Sequence, residues 1–349
     1  MRSHGLRHTS GTQGVNKRSE RATSTFAQAT AMSQSKQMSK HNSSERAQFY
    51  IGVDGGGTSC RARIEDAAGH LLGEGAAGPA ATRLGTDRSM QAVRAASEAA
   101  AIDAGLPPSA LAQASAGVGL AGIDRKGARE ALLSCSHPFL RVVYASDATI
   151  ACLGAHRGQD GAIVVLGTGS VGFARVKGRD LRVGGYGFPI SDEGSGAELG
   201  LQAVRLALRA HDGRATGTPF LLEVMRRLGP DAPGLVAWAE RATATEYASL
   251  APIILSYAEA GDPFAQQIVT EAVRHVDVLI RALVEFGAPR ISLLGGLAPR
   301  LVRWLSPEIL RFLSPPEADA VAGALLLARR EDALPQSRSG NARVRGHAD

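Results

Sequence analysis

Three aspartates and two glycine-rich turns are the places where this chain could do chemistry. Asp54 closes the apolar run Tyr50-Ile51-Gly52-Val53 and opens DGGGT (54–58), Asp147 closes FLRVVYAS, and Asp192 stands just ahead of Gly194-Ser195-Gly196. Carboxylates at strand ends of an open α/β sheet point into the crevice where ligands bind. One such group can hold Mg²⁺ through water while another takes the proton of a substrate hydroxyl. Each has a plainer reading too: Asp147 can cap a helix over 148–158, and Asp192 can cap the helix that follows it.

Gly55, Gly56 and Gly57 permit positive φ and bare N–H groups, which a phosphate-binding nest requires, although a hairpin turn favours glycine with no ligand at all. A P-loop is excluded because no Gly-Lys-Ser/Thr follows at the needed spacing. A dinucleotide loop is excluded because a strand, not a helix, comes next. Gly167, Thr168, Gly169 and Ser170 then repeat the device, adding two hydroxyl donors at another strand end. Two such turns facing each other across a cleft can hold different phosphates of one nucleotide. Gly184, Gly185 and Gly187 with Tyr186, and Gly295 with Gly296, allow close backbone approach or simply turn the chain.

The elements that must position these groups follow from the pattern. Strands are expected at 50–53, 60–65, 71–75, 114–122, 139–147, 161–166 and 170–176, with a short one at 291–296. Thr86 or Asp87 should cap a helix running to about Ala104; Ser191 or Asp192 should lead into another; Asp262 with Pro263 should open a third, stopped at Gly287. A last helix is expected over 317–330. The strand–turn–strand unit occurs twice, about 110 residues apart, which implies an internal duplication and two related α/β domains.

The chain has 349 residues and a formal charge of +6. Eight basic residues against two acidic ones in residues 1–48 account for all of that excess, so a folded basic face for nucleic acid is not supported. That segment is poor in apolar residues and reads as a disordered tail, a transit peptide, or the product of a start placed ahead of Met32 or Met38. No stretch reads as a membrane span. Cys60, Cys135 and Cys152 have no metal-type spacing and suit a reducing compartment, His70, His137, His156, His211 and His275 form no cluster, and Trp238 and Trp304 read as packing residues.

The order of GVDGGGTSCRARI (52–64), SDATIACLGAH (146–156), GAIVVLGTGS (161–170), FPISDEGSGAELGL (188–201), AGDPFA (260–265) and LLGGLA (293–298) resembles the actin-like ATPase superfamily of hexokinases and Hsp70. Within it, the chain resembles the bacterial glucosamine kinase branch of the N-acetylglucosamine kinase and BadF/BadG type, over about residues 49 to 330. The resemblance implies two duplicated ribonuclease H-like domains, 49–157 completed by the helix at 317–330, and 158–316, flanking a nucleotide and sugar cleft, with 331–349 a flexible tail. It implies ATP and Mg²⁺, and transfer of phosphate to the 6-hydroxyl of D-glucosamine.

Carried onto this sequence, the resemblance makes Gly55, Gly56, Gly57 and Thr58 the first phosphate loop, with Asp54 near the magnesium. Gly167 to Ser170 would be the second loop, Asp147 the base, and Asp192 a contact to sugar or metal. Gly295 and Gly296 would border adenosine, and Thr82, Gly122 and Gly185 the sugar. Relatives carry an asparagine where this chain has Ala81, a contact that Thr82 could replace. Partners would be an amino sugar and ATP in the cytoplasm, and a homodimer is allowed. The competing readings are an N-acetylglucosamine kinase, a dehydratase-activating ATPase needing cluster-binding cysteines, and a non-catalytic sugar sensor.

Overall fold

A computed structural model describes residues 46–229 and 231–333. The expectations for the basic tail and for 331–349 therefore fall outside the described residues, apart from 46–48 and 331–333. Among the described residues, strands β1 (Phe49–Gly55), β2 (Cys60–Asp66), β3 (Leu71–Ala77), β4 (Ala114–Leu120) and β5 (Arg141–Ser146) form one sheet in the order β3-β2-β1-β4-β5. A second sheet takes β6 (Gly161–Leu166), β7 (Ser170–Val176), β8 (Arg179–Gly184) and β9 (Ile291–Leu294) in the order β8-β7-β6-β9. In each, a three-strand antiparallel meander is followed by a parallel neighbour. The expected duplication is therefore present at the level of strand order.

Six helices place these sheets: α1 (Thr86–Asp103), α2 (Asp147–Ala155), α3 (Gly196–His211), α4 (Ala251–Glu259), α5 (Pro263–Glu285) and α6 (Ala320–Ala333). Helix α1 covers one face of the first sheet, where Ile51, Val53, Val93 and Ala96 are fully buried together. Helix α6 covers the other face and needs bare backbone beneath it. A Cβ on Gly52 would collide with the Val321 carbonyl, and one on Gly117 with that of Ala324. Helix α2 lies between the two sheets, since Cys152 and Ala155 pack with Ile163 of β6 and Phe173 of β7 while Gly154 and Ile150 pack on α6. The second sheet carries α5 on its other face, with Val276, Ile280 and Leu283 in the larger core.

Some helix starts differ from expectation, and α6 begins at Ala320, not at residue 317. Helix α1 is preceded by Gly85 at φ 97, with no side-chain cap, because the chain enters from the tight turn of residues 82–84. Helix α3 is capped by Ser195, whose oxygen accepts from Glu198 N, and not by Ser191 or Asp192. Asp262 caps α5 as expected, accepting from Phe264 N and Ala265 N. Strand β8 was not anticipated, because Arg-Asp-Leu-Arg-Val-Gly carries too much charge to show an apolar alternation.

Candidate active site

The two sheets turn corresponding ends toward a common cleft. Its first turn runs from Gly55 to Cys60 and is closed by Gly56 N donating to Ser59 O at 2.9 Å. Its second runs from Leu166 to Ser170, closed by Gly167 N donating to Gly169 O at 2.9 Å. The glycines do not serve in the way their conformational freedom suggested, because none of Gly55, Gly56, Gly57, Gly167 or Gly169 has positive φ. Gly55 and Gly169 serve by lacking a side chain. A Cβ on Gly55 would stand 2.5 Å from Leu120 Cδ2, and one on Gly169 2.5 Å from Asp192 Oδ2. The N–H groups of Gly57, Thr58, Thr168 and Gly169 have no acceptor among the described residues, which leaves them for an anion.

The start of α3 is tied to the second turn and not left open. Gly196 N donates to Gly167 O at 2.8 Å, Ala197 N to Thr168 O at 3.2 Å, and Glu198 N to the Ser195 hydroxyl at 3.3 Å. The helix therefore contributes its dipole to the cavity rather than those donors. Ser170 is buried and its hydroxyl donates to Glu193 O at 2.7 Å, so that proton is already committed. Thr168 remains exposed.

Asp54 sits directly across from Arg61 in the hairpin, and Arg61 Nη2 donates to its Oδ2 at 2.7 Å. Asp147 is the first residue of α2 and not its cap, because Ser146 takes that place by accepting from Thr149 N at 3.1 Å. The Asp147 carboxylate is open to the cleft yet flanked by protein. Burial raises its pKa; the fields of Asp54 and Asp124 raise it further, while the Ala148 N–H and Arg182 pull it back. Asp192 has φ 70, and its Oδ1 accepts from Gly187 N at 3.2 Å, which holds the carboxylate against Gly169 instead of over α3. Burial raises its pKa as well, with Arg182 again opposing.

Three adjoining cavities run along the cleft. The first, of about 240 Å³, is a mostly apolar slot between Ala251, Pro252 and Leu255 of α4 and the Gly296–Arg300 turn, reaching Gly167 and Thr168. The second, about 270 Å³, shares Gly167 and Thr168 with the first and adds Gly169, Ser170, Gly185 and Asp192. The third, about 330 Å³, holds Gly122, Asp124, Arg125, Ser146 and Asp147. Arg182 lines both the second and the third.

Not every expected residue stands where the sequence put it. Gly296 lines the apolar slot, whereas Gly295 lines a neighbouring cavity and is required by its turn, at φ 92 against the Leu166 carbonyl. Gly122, at φ 81, lines the third cavity, but Thr82 beside it is buried, and its hydroxyl donates to Ala121 O at 3.3 Å. Ala81 is buried, and its carbonyl accepts from Ser89. Sequence reasoning missed Arg182, Asp124, Arg83, whose guanidinium reaches the first turn beside Gly57, and the α4 wall. The α4 wall carried a usable signal, an apolar Ala-Pro-Ile-Ile-Leu run; the charged residues carried none.

A duplicated ribonuclease H-like fold with paired glycine turns over a shared cleft defines the actin-like ATPase class. The model of the BadF/BadG/BcrA/BcrD ATPase family matches residues 51–328, and the chain belongs to that family. It is 39% identical over 284 residues to the glucosamine kinase GspK of Vibrio cholerae, which covers 81% of this chain and 97% of that protein. It is 30% identical over 245 residues to an N-acetylmuramic acid/N-acetylglucosamine kinase of Clostridium acetobutylicum, covering 68% of this chain and 79% of that one. Among solved structures, a Chromobacterium violaceum protein provisionally assigned as an N-acetylglucosamine kinase superposes with a TM-score of 0.74. It is 38% identical over 81% of this chain and 99% of its own.

Proposed function

We propose that this protein is an ATP-dependent glucosamine kinase, moving the γ-phosphoryl group of ATP to the sugar 6-hydroxyl. The observation that carries a kinase reading is the run of three adjoining cavities: apolar slot, second glycine turn with free N–H groups, then a carboxylate-bearing pocket. Adenosine suits the slot between α4 and Gly296; the polyphosphate suits Gly55–Thr58 and Gly167–Thr168; the sugar suits the pocket of Gly122 and Asp147. The choice of glucosamine rests on the likeness to GspK over 97% of that enzyme.

In this reading the Asp147 carboxylate orients the 6-hydroxyl and takes its proton as the oxygen bonds to phosphorus and the electron pair of the broken bond leaves with ADP. The turns fix the phosphates in line with the hydroxyl, which is most of what this reaction asks of a protein. Asp54 and Asp192 are the residues that would hold Mg²⁺. Their oxygens suit an ion that takes one or two carboxylates alongside phosphates and water, and no group of three or more ligating side chains occurs among the described residues. When bound, the ion supplies charge neutralisation across the β- and γ-phosphates.

We read 49–157 with the last helix as one half and 158–316 as the other, closing to exclude water. No described helix is long and apolar enough to cross a membrane, and an ATP-consuming sugar kinase belongs in the cytoplasm. A second reading, N-acetylglucosamine kinase, is favoured by the Clostridium and Chromobacterium relatives. Coupled ADP-release assays with glucosamine, N-acetylglucosamine, glucose and mannosamine separate them: kcat/KM should be highest for glucosamine, and an equal or higher value for the acetylated sugar refutes that choice.

A further inference from the structure

We propose that the Arg182 guanidinium contacts the phosphoryl group in flight, between the nucleotide end and the acceptor end of the cleft; this rests on the kinase reading above. Arg182 stands opposite Phe173 in the β7–β8 pair, so both side chains leave the sheet on the same face. Phe173 and Val171 on that face line the acceptor cavity. The cavity of the second glycine turn and the cavity of Asp147 share two lining residues, Val171 and Arg182. A group moving from one to the other passes this shared wall, where Arg182 is the charged member.

Its bonding leaves it available. Arg61, Arg63 and Arg129 each pair with a carboxylate within 4 Å, whereas the one hydrogen bond of Arg182 among the described residues runs from Nη2 to the Gly185 carbonyl. The rest of a five-donor fork faces a cleft that holds Asp147 and Asp192, and its field reaches both carboxylates. Phosphoryl transfer spreads charge over three equatorial oxygens as the bond to the ADP oxygen breaks and the bond to the acceptor oxygen forms. A planar guanidinium anchored by one N–H to Gly185 O can offer the others in pairs to those oxygens. The anchor is supplied by the turn whose glycines, Gly184 and Gly185, take φ of 67 and 71.

A merely structural Arg182 would hold that turn and nothing more. The test uses the full chain and the variants Arg182→Met, Arg182→Lys and Arg182→Ala, read by kcat, both KM values, thermal midpoint and slow ATP hydrolysis without sugar. Contact with the transferred group predicts a kcat loss of about 10²–10³-fold in Arg182→Met, with KM for both substrates changed less than about threefold. Arg182→Lys should recover part of it, and added guanidinium ion should raise the rate of Arg182→Ala saturably. Hydrolysis should fall in parallel, since water then takes the acceptor's place. A kcat within threefold of wild type, or a rise in KM and fall in midpoint with no rescue, overturns the proposal. Should wild type phosphorylate no sugar yet lose hydrolysis in Arg182→Met, the sugar reading fails while the role of Arg182 stands.

Discussion

As the proposed base, Asp147 meets two opposed demands, and the balance can be measured. A proton acceptor must be ionised, yet burial and the charges of Asp54 and Asp124 favour its protonated form, against the Ala148 N–H and Arg182. Its pKa is therefore above the ordinary aspartate value, so kcat should fall as pH drops through that raised pKa and level off above it. The stability sign is the reverse: the native state holds this proton to higher pH than the unfolded chain does, so folding loses stability as pH rises through that window. Asp147→Asn should lower kcat by about 10²–10⁴-fold while ATP still binds and the thermal midpoint at neutral pH does not fall. Near-normal turnover would remove Asp147 from the role of base. Asp147 was legible because a carboxylate ending an apolar run is a local signal. Arg182 and Asp124 were not, because a charged residue on an exposed edge strand or loop looks the same whether it faces bulk water or a cleft.

The strand–turn–strand devices were legible as elements because glycine clusters between apolar runs allow little else, and their repetition pointed to a duplication. What could not be read was why each glycine is there. Positive φ was the natural expectation for Gly55–Gly57, but none of them has it, and the fold uses Gly55, with Gly169, for close approach. The same demand governs the seat of α6, since an added methyl at Gly117 meets the Ala324 backbone, which has no side-chain rotation to offer. Gly117→Ala should cost about 1–3 kcal/mol or more by overpacking. Gly78→Ala is the control, having open space around its Cβ position and no positive φ. Urea midpoints that fall equally for both variants would contradict the packing account.

Helix α2 packs on both sheets and carries Asp147 at its cleft end, so relative movement of the sheets is felt at the acceptor site. In the proposed kinase reading, adenosine contacts come from the second half and Asp147 from the first, so ATP and sugar should favour the same closed arrangement. Titration calorimetry should show a non-hydrolysable ATP analogue tightening glucosamine binding by at least about fivefold. Equal affinity with and without the analogue would mean that the halves do not close as one.

The placement of α6 also sets a timetable for synthesis. The first sheet leaves the ribosome early, but its glycine-floored face stays open until residues 320–333 arrive to cover Gly52 and Gly117. A nascent chain broken off before that point carries a bare apolar groove and the start of a catalytic site it cannot finish. Burial of that groove therefore waits on synthesis of residues 320–333, which gives proteases and chaperones a physical mark separating chains that have reached this helix from shorter fragments.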